Sequence, residues 1–142
     1  MALRSDVVRR KLLQIEAATA QLRAWMPIDR ARLERDQQLR WAVERGLQIA
    51  AEALFDVGAH VLAAEFGEVI DEYGTIPPQL AARGVLSDAT AARLRSLAGF
   101  RNVLVHDYAV IDLDRLRAGL DRLGDFDAFV ADVEGWLSTS GR

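Results

Sequence analysis

Apolar residues recur every three or four positions along most of the chain, the spacing that places them on one face of an α-helix. In the first segment this stripe consists of Val8, Leu12, Ile15, Ala18 or Thr19, and Leu22. Ser5 or Asp6 precedes it as a suitable N-cap. Pro27 ends it, because a proline pushes the residue before it out of helical geometry. The pattern therefore predicts a first helix from about Ser5 to the residues before Pro27.

The second segment predicts the longest helix. Asp29 is a suitable N-cap, and from about Arg30 to Phe66 the chain has no proline and only two glycines, Gly46 and Gly58. A helix of that length would span on the order of 50 Å. Since this exceeds one small core, we expect the helix to bend or to extend into a partner.

The later segments are shorter. Pro77 and Gly84 open and close a short helix, the usual asymmetry of helix ends. Ser87 or Asp88 caps the next helix, whose main row consists of Leu94, Leu97, Arg101 and Leu104. Asp112 caps the last segment, which we expect to kink or break at Gly124-Asp125.

No window alternates apolar and polar residues as a strand does. We therefore predict an all-α fold, an antiparallel bundle of about four main helices plus a short helix. Residues 1–142 are expected to form a single domain.

The composition fits a globular chain that stays in the cytoplasm. It is 51% hydrophobic and 27% charged, without cysteine, so neither a disulfide framework nor a thiolate metal site is expected. We expect no membrane partner, since we find no apolar run of about 20 residues. The net charge of −3 disfavours a general nucleic-acid coat. Residues 1–45 are nevertheless basic, with ten Arg/Lys against six Asp/Glu, so they form either a solvated face or a contact for an anionic partner.

The most informative stretch is GFRNVLVHDY at residues 99–108, which gathers Arg101, His106 and Tyr108 within eight positions. Five residues on an ideal helix separate Arg101 and His106 by about 140°. Their side chains therefore converge only if the helix loosens near His106. From the residues alone, the cluster is either a phosphate-handling site or an ordinary polar helix end.

These residue types suit the cleavage of RNA, whose 2′-hydroxyl is a built-in nucleophile. Arg101 offers a planar charged fork to phosphate oxygens, and His106 can move a proton near neutral pH. One histidine cannot easily serve as base and acid at once, so two copies across a dimer interface would complete the site. Asn102 could support the substrate or the loop, and the hydroxyl of Tyr108 could accept a covalent modification.

The string RNVLVHDY resembles the signature of the HEPN superfamily, an arginine followed after a short spacer by a histidine. With Tyr108 two places after His106, it more narrowly resembles the HepT toxin family. The resemblance extends over roughly residues 5–137. It includes the long helix around LQIAAEALFDVGAHVLAAEFG, the proline-rich turn and the LAARGVLSD segment.

This resemblance implies a helical homodimer that acts as the toxin of a bacterial toxin–antitoxin module. It implies an endoribonuclease with RNA as substrate, Arg101 and His106 as the catalytic pair, Asn102 in support, and no metal or other cofactor. It further implies an MntA-like nucleotidyltransferase antitoxin that neutralises the toxin by transferring AMP from ATP to Tyr108. Two alternatives remain: a non-catalytic partner or substrate-binding subunit of a nucleotidyltransferase, and a helical scaffold whose motif only caps a helix.

Two other groups of residues have possible functions. Glu52, Asp56 and His60 are spaced four apart on one face of the long helix, which is either a metal-like spacing or a polar stripe. The three tryptophans are expected to pack in the core or at an interface rather than to stack on bases; they are Trp25, Trp41 and Trp136.

Overall fold

The computed structural model describes residues 2–105 and 111–142, and in these ranges it is helical without strands. The helices are α1 (Ser5–Trp25), α2 (Arg30–Arg35), α3 (Gln37–Phe66), α4 (Ile76–Ala82), α5 (Asp88–Arg93), α6 (Leu97–Val105), α7 (Leu113–Leu120) and α8 (Leu123–Thr139). A single 3₁₀ turn, Tyr73–Thr75, precedes α4 within the described ranges. The predicted all-α class is confirmed.

Helix α1 runs antiparallel to α3. The backbone N–H of Arg4 donates to Nε2 of His60 near the end of α3, whereas Leu22 packs beside Gly46 nearer its start. The predicted stripe of α1 is buried, including Thr19 at its fourth position. Helix α1 ends at Trp25, as Pro27 predicts, but it begins at Ser5 with Arg4 as N-cap. Ser5 is therefore the first helical residue rather than the cap.

Helix α8 also packs against α1 and runs antiparallel to it. Arg23 near the end of α1 pairs with Asp127 near the start of α8. At the opposite end, the guanidinium of Arg9 donates to the carbonyl of Arg142 at 2.8 Å. The long helices thus form the predicted antiparallel bundle.

Helix α3 is the central element. It contributes twelve of the buried residues, among them Leu47, Leu54 and Phe55. By length and composition, with a mean hydropathy of 1.3, α3 is the one helix of the described residues that is apolar enough to cross a membrane. Since 56% of that apolar window is buried inside the protein, α3 has the burial expected of a core helix.

The prediction of a single helix from Arg30 to Phe66 is wrong, because the chain is interrupted at Asp36 between α2 and α3. There the backbone is extended, with φ −114° and ψ 93°, and the carboxylate accepts the N–H of Leu39 to cap α3. The N–H of Asp36 meanwhile bonds to the carbonyl of Arg32. The backbone of Asp36 thus closes α2, and its side chain caps α3. Aspartate favours such a break, because its carboxylate can accept backbone N–H groups in place of the bonds of a continuous helix.

The helix predicted after Ser87 is likewise two helices. Ser87 caps α5 by accepting the N–H of Thr90. Hydrogen bonds of the i to i−3 type then tighten the chain, from Arg95 to the carbonyl of Ala92 and from Leu97 to that of Leu94. Such bonds end an α-helix in a 3₁₀-like turn, so α6 starts anew at Leu97.

The last predicted helix breaks slightly earlier than expected. Asp112 caps α7 as predicted, but the break falls at residues 121 and 122, and Gly124 lies inside α8. The short helix α4 ends as predicted near Gly84, which has a φ of +76°. The N–H of Val85 bonds back to the carbonyl of Leu80 at 2.9 Å, so the glycine permits the left-handed turn that closes the helix.

Candidate functional site

Helix α6 positions the first residue of the predicted catalytic pair. Leu97, Phe100 and Leu104 pack against the core from one side of this helix. Arg101 is half-buried, and Asn102 is exposed. The row predicted from the sequence, Leu94, Leu97, Arg101 and Leu104, is therefore apolar except for Arg101.

Arg101 lies over an aromatic ring that is distant in sequence. Its guanidinium carbon is 4.5 Å from the ring centre of Tyr73. The same tyrosine stacks on Phe55 of α3, with ring centres 5.0 Å apart and planes inclined by only 7°. Phe55 is 1% exposed, so a fixed core side chain supports the tyrosine that contacts Arg101.

The hydrogen-bonding state of Arg101 is unusual. Its Nε is buried and has no hydrogen-bond partner among the described residues. Within the same ranges Arg101 also forms no salt bridge. A guanidinium whose donors are not consumed by a carboxylate keeps its charge and its planar fork for an anion. This is the property that phosphate binding requires.

His106 and Tyr108 lie outside the described residues, as does Asp107 between them. The predicted convergence of His106 and Tyr108 toward Arg101 therefore stays a prediction. What the structure adds is the position of Arg101 on the last described turns of α6, four residues before Val105.

The face of α3 that carries Glu52, Asp56 and His60 is a polar stripe whose members have separate partners. Asp56 forms a salt bridge with Lys11 at 3.1 Å, Glu52 accepts a hydrogen bond from Gln48, and His60 accepts the N–H of Arg4. No three potential ligands within residues 2–105 and 111–142 are grouped to hold a metal ion. Asp56 and His60 of the stripe thus link α3 to the start of α1, whereas Glu52 bonds within α3.

The basic start of the chain is partly neutralised. Besides the salt bridge of Lys11, Arg4 pairs with Asp6 at 3.3 Å, and this salt bridge lowers the pKa of Asp6.

Of the tryptophans, Trp25 and Trp136 pack against the core, whereas Trp41 is 59% exposed. The packing prediction is therefore confirmed for two of the three.

A cavity of about 220 Å³ opens between α6, α7 and α8, with Phe100 and Phe126 among its lining residues. At its edge the carboxylate of Asp125 bonds to Nε of Arg93 at 2.9 Å and to Nε of Arg122 at 2.6 Å. Asp125, 8% exposed, is the one buried charged residue of the described ranges. Its two partners satisfy it, so this cluster has the features of a structural link between α5 and α8.

Sequence reasoning missed Tyr73. It stands in the irregular segment between α3 and α4, where the chain makes a 3₁₀ turn and no helical period assigns a side chain to a face. An aromatic residue inside the polar run Asp71-Glu72-Tyr73-Gly74 was the available signal, because a lone aromatic in a polar loop usually packs on something.

A comparison with protein-family profiles matches residues 15–133 to the family described as ribonuclease HepT-like. The chain belongs to the ribonuclease HepT-like family. The match includes α6 and the whole RNVLVHDY string, so the predicted family is confirmed. The comparison with curated proteins gives no match.

Solved structures share the fold of this HepT-like chain. The tri-AMPylated HEPN toxin of Shewanella oneidensis, in complex with MNT antitoxin, superposes with a TM-score of 0.80 at 22% identity, covering 92% of this chain and 98% of that chain. The cytosolic protein of unknown function YutE from Bacillus subtilis superposes with a TM-score of 0.84 at 18% identity, covering 99% and 95%. A toxin–antitoxin structure with AMP-PNP gives 0.78 at 22% identity, covering 90% and 98%. At these identities the similarity establishes the fold.

Proposed function

We propose that this HepT-like protein is the toxin of a toxin–antitoxin module and cleaves RNA as a homodimer in the cytoplasm. The observation that carries the proposal is Arg101, a half-buried arginine that forms no salt bridge among the described residues and whose Nε has no hydrogen-bond partner there. It lies in the arginine–histidine string of a ribonuclease HepT-like family member. The fold shared with a HEPN toxin supports the same assignment.

The proposed reaction uses the RNA 2′-hydroxyl as nucleophile. Its oxygen bonds to the adjacent phosphorus, the bond from phosphorus to the 5′-oxygen breaks, and one proton moves from the 2′-hydroxyl to the leaving oxygen. His106 transfers that proton, with the partner's His106 available for the second transfer. Arg101 stabilises the charge that builds on the phosphoryl oxygens, and exposed Asn102 supports the substrate.

The test is cleavage of end-labelled RNA by the wild-type protein and by His106→Ala. We expect the variant to lose about 10²- to 10⁴-fold in rate, the usual contribution of a general acid or base. The wild-type products should carry 2′,3′-cyclic phosphate and 5′-hydroxyl ends. The matched control is His60→Ala, which removes the other histidine of the chain and should cleave at the wild-type rate.

Equal cleavage by the wild-type protein and His106→Ala would contradict the proposal. Absence of cleavage by both, together with retained binding to a nucleotidyltransferase, would instead favour the non-catalytic subunit.

Regulation is tested with the same preparations. We propose that an MntA-like nucleotidyltransferase transfers AMP to Tyr108; the Shewanella oneidensis toxin is itself tri-AMPylated. After co-expression with the small nucleotidyltransferase of a neighbouring reading frame, the intact mass should rise in steps of one AMP and cleavage should fall. Tyr108→Phe should gain no mass and should remain active.

A further inference from the structure

We propose that Tyr73 is a positioning residue for Arg101: it holds the guanidinium by its aromatic face and leaves the N–H donors for phosphate. This inference rests on the proposed function, since it assigns a role to Tyr73 in the same reaction. It adds a residue from outside the RNVLVHDY string to the site.

The first support is the contact geometry. The guanidinium carbon lies 4.5 Å from the ring centre of Tyr73, well inside the range of about 6 Å in which a cation and an aromatic face attract each other. Tyr73 in turn stacks on buried Phe55 at 5.0 Å. The row from Phe55 through Tyr73 to Arg101 therefore connects the central helix α3 to the last described turns of α6.

The second support is that the tyrosine is itself held in place. The N–H and the hydroxyl of Thr75 both donate to the carbonyl of Glu72, at 3.1 and 2.7 Å, and so close the 3₁₀ turn that begins at Tyr73. Gly74 of this turn lies against α6, where an added Cβ would be in ordinary contact with Ala98. The turn and α6 are thus packed together at the position where Tyr73 meets Arg101.

The third support is the kind of contact. A carboxylate partner would occupy the N–H donors of Arg101 and neutralise its charge. An aromatic ring instead contacts the flat face of the guanidinium, so the donors in the plane stay available. Arg101 forms no salt bridge in the described ranges, so no carboxylate there competes for its terminal N–H groups, while its Nε is buried and has no hydrogen-bond partner there. Contact with the ring face thus fixes the orientation of the Arg101 guanidinium without neutralising its positive charge.

The experiment compares Tyr73→Leu, which removes the aromatic face, with Tyr73→Phe, which keeps it. Since Tyr73 is 39% exposed, we expect both variants to fold. Tyr73→Leu should lower kcat/KM for RNA cleavage by about 2- to 30-fold, the range of a cation–π contact, with the loss mainly in kcat. Tyr73→Phe should restore cleavage to nearly the wild-type rate. The matched control is Phe66→Leu, which removes the stacking of Arg83 at 5.2 Å and should leave cleavage unchanged.

A second measurement reports the geometry without activity. The Nε–Hε resonance of Arg101 should show the shift of a proton near an aromatic ring face in the wild-type protein and in Tyr73→Phe, and should lose it in Tyr73→Leu. If the wild-type protein does not cleave RNA, the proposed function fails while this shift still reports the stack. Equal kcat/KM for Tyr73→Leu and the wild-type protein, or an Arg101 resonance unchanged by Tyr73→Leu, would overturn the role of Tyr73.

Discussion

At the scale of single residues, the contact between α1 and α8 combines attraction and repulsion. Arg23 pairs with Asp127, but Glu16 on α1 faces Glu134 on α8. Partial desolvation, and then the negative charge of Glu134, raises the pKa of Glu16 above its ordinary value of 4.5. The folded protein therefore holds the proton of Glu16 more tightly than the unfolded chain does, and a charged Glu16 weakens the fold.

Glu16→Gln should accordingly stabilise the protein near neutral pH. Because the pKa of Glu16 is raised in the folded state, the penalty is present above that pKa and disappears as the pH falls through it. Thermal unfolding should show a melting temperature higher by about 1–2 °C at neutral pH, a small gain because the site is exposed to solvent. The gain should vanish well below pH 4.5. A variant that melts below the wild-type protein at neutral pH would contradict this account.

At the scale of helices, α4 crosses α3 where α3 has a glycine. A Cβ added at Gly58 would overlap Cγ2 of Ile76 and come within 3.3 Å of Leu80. Both neighbours are fully buried, so neither side chain can move aside at low cost. Gly58 thus sets how closely α4 approaches the central helix, and with it where the turn of Tyr73 lies.

Gly58→Ala should destabilise the protein by about 1–3 kcal/mol, because the strain of overpacking exceeds the gain in helix propensity. Denaturant unfolding measures the loss. Gly135→Ala is the matched control on α8, since nothing lies within 4 Å of its added Cβ. It should be neutral or more stable by up to about 1 kcal/mol, the propensity difference between glycine and alanine. A loss of stability in the control equal to that of Gly58→Ala would refute the packing explanation.

At the scale of the whole molecule, we propose a site that is shared by two copies of the chain. The proposed reaction requires one proton to be removed and one to be supplied, and the RNVLVHDY string of each copy contains a single histidine. If both copies of His106 act in one shared site, the activity depends on the number of dimers in which both chains are intact. A mixture of wild-type and variant chains can therefore distinguish shared sites from independent ones.

Equal amounts of wild-type and His106→Ala chains, refolded together, should retain about a quarter of the wild-type activity, since random two-fold pairing makes only about one dimer in four fully intact. Independent subunits would retain about half. Measuring cleavage against the fraction of variant chain gives a curve for shared sites and a straight line for independent ones. A straight line would refute the shared site.

The success of the sequence-based predictions differed among these scales. The buried stripe of α1, the caps at Ser87 and Asp112 and the end of α4 near Gly84 were predicted, because each depends on residues within one or two helical turns. The break at Asp36 was missed, since an aspartate inside a good apolar period gives no sign of whether it caps or faces solvent. Tyr73 was missed because its contact with Arg101 joins residues 28 positions apart in sequence.

The stack of Arg101 on Tyr73 should make the orientation of the guanidinium insensitive to low pH. A carboxylate that held the guanidinium would become protonated as the pH fell and would then release the guanidinium. An aromatic face takes up no proton in this way. The orientation of Arg101 should therefore persist in acid. A rate profile measured against pH would then show the inflections of the two proposed His106 groups, with none added by the group that orients the arginine.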